Sequence, residues 1–274
     1  MENLTLSVVV PTKNEAANIA ACIRAFDDVR DRVEVIVVDN ASTDGTPEIA
    51  AQLGARVFEK GPERSAQRNL GWRSARADWV VILDADMILP PETVAEILAV
   101  AARAPQEADA PVAYWIPEVR TGVGLRVKAR NFERSFYDGT CIDALRLFRT
   151  SVLAATGGYD ESLIAGPEDW ELDIRVLATG ARCAVLNGHL IHNEKRLTLR
   201  RMLAKKAYYT KSMAAYQAKW RGHPALRKQF GLAYRYFGVF VEDGKWKRLV
   251  AHPILAAVMY AERILVGLTY LLHR

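Results

Sequence analysis

Two carboxylates one residue apart, Asp84 and Asp86 in Leu83-Asp84-Ala85-Asp86, follow directly on the apolar run Trp79-Val80-Val81-Ile82-Leu83. The run is rich in β-branched residues and too short for an ordinary helix, as expected of a strand buried on both faces of a parallel sheet. In an open α/β sheet, ligands bind beyond the carboxyl ends of the strands, so both acids are expected beside a ligand. Side by side they repel unless a cation neutralises them, and hard divalent ions prefer carboxylate oxygens. A metal-bridged diphosphate suits such a pair. A bare D-x-D is short, however, and it also describes one turn-capping and one solvated aspartate.

Four other places carry chemistry-bearing side chains, each with a plain alternative. Asp39 ends the apolar run Val35-Ile36-Val37-Val38. It can accept the imide N–H of a uracil or the hydroxyls of a ribose, or it can close an Asx-turn. Arg64 and Arg68 lie with Gln67 on one face of a helix predicted over Glu63 to Arg76. They suit phosphate as charge-assisted donors, or solvent as surface arginines. Glu168-Asp169 opens another predicted helix, where it offers a general base or simply complements the helix dipole. His192, just past a short predicted strand, is either a third metal ligand or a structural histidine.

The elements that must position these groups alternate. Apolar runs at Leu4–Val10 (stopped by Pro11), Val33–Val38, Ala55–Glu59 and Trp79–Leu83 are predicted strands. Helices are predicted between them over Ala16–Phe26 with Asn14 as N-cap, over Pro47–Leu53 with Gly54 as its stop, and over Glu63–Arg76. This pattern predicts a parallel sheet with right-handed crossovers, its polar strand-end loops gathered into one cleft. Further on, a helix is predicted from Pro90-Pro91 to Arg103, and a strand over Ala113–Val119. Thr121–Tyr137 reads as a loop or short helix, and Leu145–Phe148 as a strand. A helix closed by Gly180 precedes a last strand at Ala181–Leu186, and the pattern is helical from Leu197 onward.

At 274 residues the chain can bury a full core, half hydrophobic and a quarter charged. Cys22, Cys141 and Cys183 are scattered and odd in number, against a disulfide framework or a structural zinc site and for a reducing cytosol. No signal peptide is visible ahead of the first strand. The net charge of +5 is uneven: from Lys195 to Val250, fifteen Lys and Arg against two acids give +13, leaving −8 for the remainder. An anionic partner for this tail is implied, either a membrane or a substrate. Tyr208, Tyr209, Tyr216, Trp220, Tyr234, Tyr236, Phe237 and Trp246 interleave with the basic residues, as on membrane-surface helices, and no nucleic-acid module is recognisable.

Six motifs in order resemble the inverting nucleotide-sugar glycosyltransferases of family 2 across residues 4 to 195. They are Val8-Val9-Val10-Pro11-Thr12-Lys13-Asn14-Glu15, Val37-Val38-Asp39-Asn40-Ala41-Ser42-Thr43-Asp44-Gly45-Thr46, Arg68-Asn69-Leu70-Gly71, Leu83-Asp84-Ala85-Asp86, Gly157-Gly158-Tyr159-Asp160-Glu161 and Glu168-Asp169-Trp170-Glu171. The resemblance implies an α/β GT-A fold, a Rossmann-like and mostly parallel sheet flanked by helices, over 1–195, with a helical extension over 196–274. It implies that Pro11, Thr12, Asn14, Glu15 and Asp39 hold the donor's base and ribose, and that Arg64 and Arg68 lie near its diphosphate. Asp84 and Ala85 would border the ribose or a metal-bound water, and Asp86 would ligate Mn²⁺ or Mg²⁺, with His192 completing the site. Asp169 would be the base, Glu168 its less favoured substitute, and Gly158 to Glu161 would shape the acceptor side.

Asn40 stands where the family often has a second acid, which loosens the nucleotide assignment. The Q-x-x-R-W motif of the processive synthases is absent and no set of membrane spans surrounds the catalytic part, so transfer of single sugars is expected rather than polymerisation. A UDP-sugar is the default donor, with a GDP-sugar open because dolichyl-phosphate mannose synthases carry similar motifs. The expected acceptor is lipid-linked or a glycan, reached from the inner face of the cell membrane. Ile254–Leu272 is long enough to span a bilayer, but Glu262-Arg263 interrupts it at about 2.5–3.5 kcal/mol per charge. A helix lying in the interface or packed on a partner subunit is therefore favoured over a tilted span or a helix buried within the monomer. The alternatives are a sugar-1-phosphate nucleotidylyltransferase, whose Gly-rich, Arg-containing loop after the first strand is missing here, and a catalytically silent adaptor.

Overall fold

The computed structural model describes residues 4–103, 110–163, 166–193 and 212–272. Its centre is a seven-stranded sheet built on β1 (Leu6–Thr12), with β2 (Val33–Asp39) and β3 (Arg56–Glu59) to one side and β4 (Trp79–Ile82) to the other. These four strands are parallel, as the alternation of runs and helices predicts. Successive residues of β1 and β2 point to opposite faces and build two cores. Val8, Val10, Val35 and Val37 enter one, with Ile19 and Ile23 of α1 (Ile19–Arg24). Val9, Ile36 and Val38 enter the other. β1 continues through Pro11, where the sequence predicted its end. β4 pairs only with Ser7–Val9, so at Pro11 no donor is needed on that side.

Helix α1 is shorter than expected. Asn14 does not cap it: its backbone is left-handed (φ 54°) and its Oδ1 accepts from the Thr43 N–H, while Asn18 is the capping residue. α2 (Thr46–Gln52) and α3 (Arg64–Arg73) complete the crossovers. After β5 (Met87–Ile88) and α4 (Pro91–Arg103), the segment predicted as one strand from Ala113 splits in two. β6 (Ala113–Trp115) joins the large sheet, and β7 (Glu118–Arg120), beyond Ile116-Pro117, joins a second, three-stranded sheet. α5 (Leu125–Arg134) settles the ambiguous basic stretch as a helix. β8 (Leu145–Arg149) inserts antiparallel between β4 and β6, and α6 (Thr150–Thr156) and α7 (Glu168–Ala178) cover one face. β9 (Cys183–Val185) closes the large sheet beside β6, and β10 (Leu190–His192) is the middle strand of the small one, between β5 and β7.

The C-terminal region is a string of short helices, α8 (Met213–Lys219), α9 (Pro224–Phe230) and α10 (Trp246–Ala251), leading to the long α11 (Pro253–Leu272). The continuous helical pattern expected from Leu197 begins on residues outside those described, and beyond them it is broken at Gly231 and Gly244. α11 packs along α5. Its Met259 is buried with Phe136, Ile142, Val239 and Phe240, and its two charges are paired with residues of the α5 region. Glu262 meets Arg126 at 2.7 Å, and Arg263 bonds Glu133 and the Tyr137 hydroxyl. Among the described residues no helix is long and apolar enough to cross a membrane.

Candidate active site

The carboxyl ends of β1, β2 and β4 open onto a cleft of about 800 Å³, and the small sheet forms its opposite wall. Pro11, Thr12, Lys13 and Glu15 line it from β1, Arg64 and Gln67 from α3, and Asp84, Ala85 and Asp86 from the tip of β4. Glu118, Arg120, Arg146 and His192 face them. The small sheet makes this convergence possible, because β5, β10 and β7 bring together Asp86, His192 and Glu118, residues far apart in sequence. His192 Nε2 lies 3.3 Å from Asp86 Oδ2, and its Nδ1 lies 2.8 Å from Glu118 Oε1. Burial alone lowers the pKa of His192, but the hydrogen bonds to Asp86 and Glu118 raise it to about 9. Glu118 is pushed up by burial, yet His192 and Arg134 bring it down to about 2.

Asp86 and His192 fit a divalent cation, since donors 3.3 Å apart can both reach one ion at roughly 2.1 Å. Glu118 supplies the carboxylate that commonly orients a ligating imidazole from behind. Asp84 is turned elsewhere, toward Arg68. Among the described residues no three His, Cys, Asp or Glu side chains converge as a complete cage, so an ion here would draw its remaining ligands from substrate oxygens and water.

Arg68 is the other hub. Fully buried on α3, it donates from Nη1 to Asp169 Oδ1 at 2.8 Å and from Nη2 to Asp84 Oδ1 at 3.1 Å, with Glu168 Oε1 3.6 Å away. Burial works against its charge, but Asp169, Asp84 and Glu168 hold it protonated well above its ordinary range. Burial pushes Asp84 up, and Arg68 with Arg146 pulls it well below the usual carboxylate range. Arg68 thus ties the tip of β4 to the start of α7 and has little surface to offer a diphosphate. Arg64, expected beside it at the phosphate, lies 3.4 Å from Glu168.

The two acids opening α7 differ sharply. The Glu168 side chain is 2% exposed and its pKa is raised by burial and by Asp169, whereas the Asp169 side chain is 22% exposed and held by Arg68. Asp169 is the better placed to take a proton from an incoming hydroxyl. Beside it, Asn69 accepts from the Tyr159 N–H at 2.8 Å and donates to the Tyr159 carbonyl at 2.9 Å, locking two sequence motifs together. Gly158 has φ +77°, and a Cβ there would strike Asn69 and Trp72.

Asp39 sits behind the cleft floor. Its oxygens accept from the Thr12 hydroxyl at 2.8 Å and from the Ser42 N–H and hydroxyl at 2.7 and 2.6 Å, the local turn geometry. Asn14 also stands outside the lining, on the loop beside Ser42 and Thr43. Some contributors were given no role from the sequence. Gln67 donates to the carbonyls of Thr12 and Val38, sealing two strand ends. Glu118 and Arg146 reach the cleft only through pairings over long sequence distance, and no local motif marks them.

Fold and site define a nucleotide-sugar-type GT-A protein, and the comparisons agree. The chain belongs to glycosyl transferase family 2, whose description matches residues 7–156. It is 27% identical over 271 residues to succinoglycan biosynthesis protein ExoA of Rhizobium meliloti, covering 91% of this chain and 82% of the relative. It is 40% identical over 99 residues to the low-salt glycan biosynthesis hexosyltransferase Agl6 of Haloferax volcanii, covering 34% and 24%. The chain thus spans only about a quarter of that relative's length, and 32% of an uncharacterized glycosyltransferase of Rickettsia felis. Among solved structures, the mannosyltransferase PcManGT of Pyrobaculum calidifontis, in complex with GDP-Man and Mn²⁺, superposes with a TM-score of 0.62 at 21% identity, over 95% of this chain and 80% of that one. The glucosyl-3-phosphoglycerate synthase of Mycobacterium tuberculosis, in complex with Mn²⁺, UDP and glucosyl-3-phosphoglycerate, gives 0.58 at 19% over 79% and 80%. At these identities the likeness concerns the fold.

Proposed function

We propose that this glycosyltransferase is non-processive, metal-dependent and inverting, moving one sugar from a nucleotide-sugar to a hydroxyl or phosphate of a lipid-linked or glycan acceptor. The observation that carries this reading is the bridge Asp84–Arg68–Asp169 at the edge of a cleft that also presents Asp86 and His192. Asp86 and His192 would hold Mn²⁺ or Mg²⁺, which supplies positive charge against the departing diphosphate. Arg68 fixes the Asp169 carboxylate, and Asp169 takes the acceptor proton as the hydroxyl attacks the anomeric carbon from the face opposite the leaving group. Pro11, Thr12 and Glu15, with Asp39 behind them, would seat the nucleotide. UDP- and GDP-sugars are both donors to test, since one structural neighbour holds GDP-Man and another holds UDP.

Donor turnover with Mn²⁺ tests this directly. Hydrolysis or transfer from a UDP- or GDP-sugar is expected from the wild type and lost in Asp86→Ala and Asp169→Asn. Turnover that survives in Asp86→Ala would sink the metal assignment. We also place the enzyme on the cytosolic membrane face. Support comes from the +13 segment and from exposed Leu232, Phe237, Trp246, Val250 and Ile254 around it. Flotation with anionic, but not neutral, liposomes is expected, and an unbound full-length chain at physiological salt argues against it.

A further inference from the structure

Arg146, near the start of β8, lines the cleft beside Asp84 and Asp86, and it is only 9% exposed. Every other arginine of the cleft has an acid close by. Arg68 binds Asp169 and Asp84, Arg64 lies 3.4 Å from Glu168, and Arg120 lies 3.8 Å from Glu118. Arg146 makes no hydrogen bond and no close ion pair among the described residues. It acts on its surroundings at longer range only. After burial, Arg68 and then Arg146 shape the pKa of Asp84, and Arg146 also contributes to Glu118 and Tyr159. The guanidinium shares the cleft lining with Asp84, Asp86, Glu118 and His192. Its donors open onto the cleft with no protein acceptor among the described residues, so a ligand that brings oxygens there meets a guanidinium free to bind them.

We propose that Arg146 receives a phosphoryl group of the substrate pair. Its planar fork of donors matches two phosphate oxygens at once, and neighbouring Arg68 and Arg64 are already engaged with carboxylates. This rests on the nucleotide-sugar reading above. The phosphoryl group has two sources, the distal phosphate of the donor diphosphate and a phosphate carried by the acceptor.

Calorimetric titration of the full chain with UDP, GDP, UMP and GMP in the presence of Mn²⁺ tests the inference, together with inorganic phosphate added to the nucleotide-saturated protein. A tenfold or greater loss of UDP or GDP affinity in Arg146→Met, with UMP or GMP unchanged, assigns the donor's distal phosphate. Unchanged nucleotides with loss of phosphate binding assign the acceptor's phosphate. A merely structural role would not separate diphosphate from monophosphate. Arg146→Lys keeps the charge without the fork and is expected to fall between wild type and Arg146→Met, which keeps the test open should the methionine variant fail to fold. Wild-type affinity for every probe in folded variants overturns the inference and leaves the glycosyltransferase reading standing. A wild type that binds no nucleotide overturns both.

Discussion

Glu118 shows how much a single side chain decides at this site. Its bond to His192 Nδ1 leaves Nε2 facing Asp86. Glu118→Gln is expected to weaken Mn²⁺ binding about 10–100-fold while leaving the fold intact, as measured by calorimetry without nucleotide. Unchanged affinity would remove Glu118 from the site. Arg68 is a different kind of residue, because three carboxylates depend on its charge. Arg68→Met is expected to destabilise by about 3 kcal/mol in denaturant titration, since it strands Glu168 in the interior. Asp138 lies outside the cleft. Burial and then Asp143 raise its pKa to about 6, and its Oδ1 has no hydrogen-bond partner among the described residues. The folded state therefore holds this proton more tightly than the unfolded chain, so stability falls as pH rises from about 4 to about 6. Asp138→Asn removes the penalty. The variant is expected to exceed the wild type by about 1 kcal/mol above that window and to match it below, in melts across pH.

Elements place these residues, and the small sheet is the decisive one. Its strands are two or three residues long, so its stability comes from what it joins rather than from its own ladder. On the other side of the cleft, α3 lies so close to β1 that a Cβ on Gly71 would strike Val9. Gly71→Ala is expected to cost about 1–3 kcal/mol and to shift Arg68, so activity should fall with stability in paired melts and assays. α11 is fastened by Arg263, which bonds Glu133 and Tyr137 of the α5 region and stacks on Phe240 and Tyr236. Arg263→Ala is expected to loosen this helix, visible as early amide exchange along α11 while β1 and β2 stay protected.

At the scale of the molecule, the C-terminal helices are part of the enzyme's interior. Tyr216 is buried against Leu163 and Ile174, Val239 and Phe240 against Phe136 and Ile142, and Lys219 reaches Asp160 at 2.5 Å and Glu171 at 2.8 Å. The segment around Asp160 is thereby tied to the basic region beside it. A chain ending at residue 212 would expose Phe136, Ile142 and Leu163 and is expected to aggregate. A truncated protein that melts cooperatively would show the extension to be a separate module.

Strands β1, β2 and β4 were legible because they are buried on both faces, and continuous β-branched runs leave a local signature. The acids at their tips follow directly on those runs, and the motifs around Arg68, Gly158 and Asp169 were legible through their resemblance to family 2. Asn14 misled because its side chain bonds the loop that follows β2, and Pro11 because the pairing with β2 carries β1 past it. The bonds of Asp39 to Thr12 and Ser42 likewise join strand end to loop and could not be read from the run before it. The partnerships of Glu118 with His192 and of Arg68 with three acids, and the lack of a partner for Arg146 among the described residues, belong to the tertiary structure alone. Each depends on strands and helices separated by tens of residues meeting at one place, and charge pairing at a few ångströms leaves no trace in the spacing of a sequence.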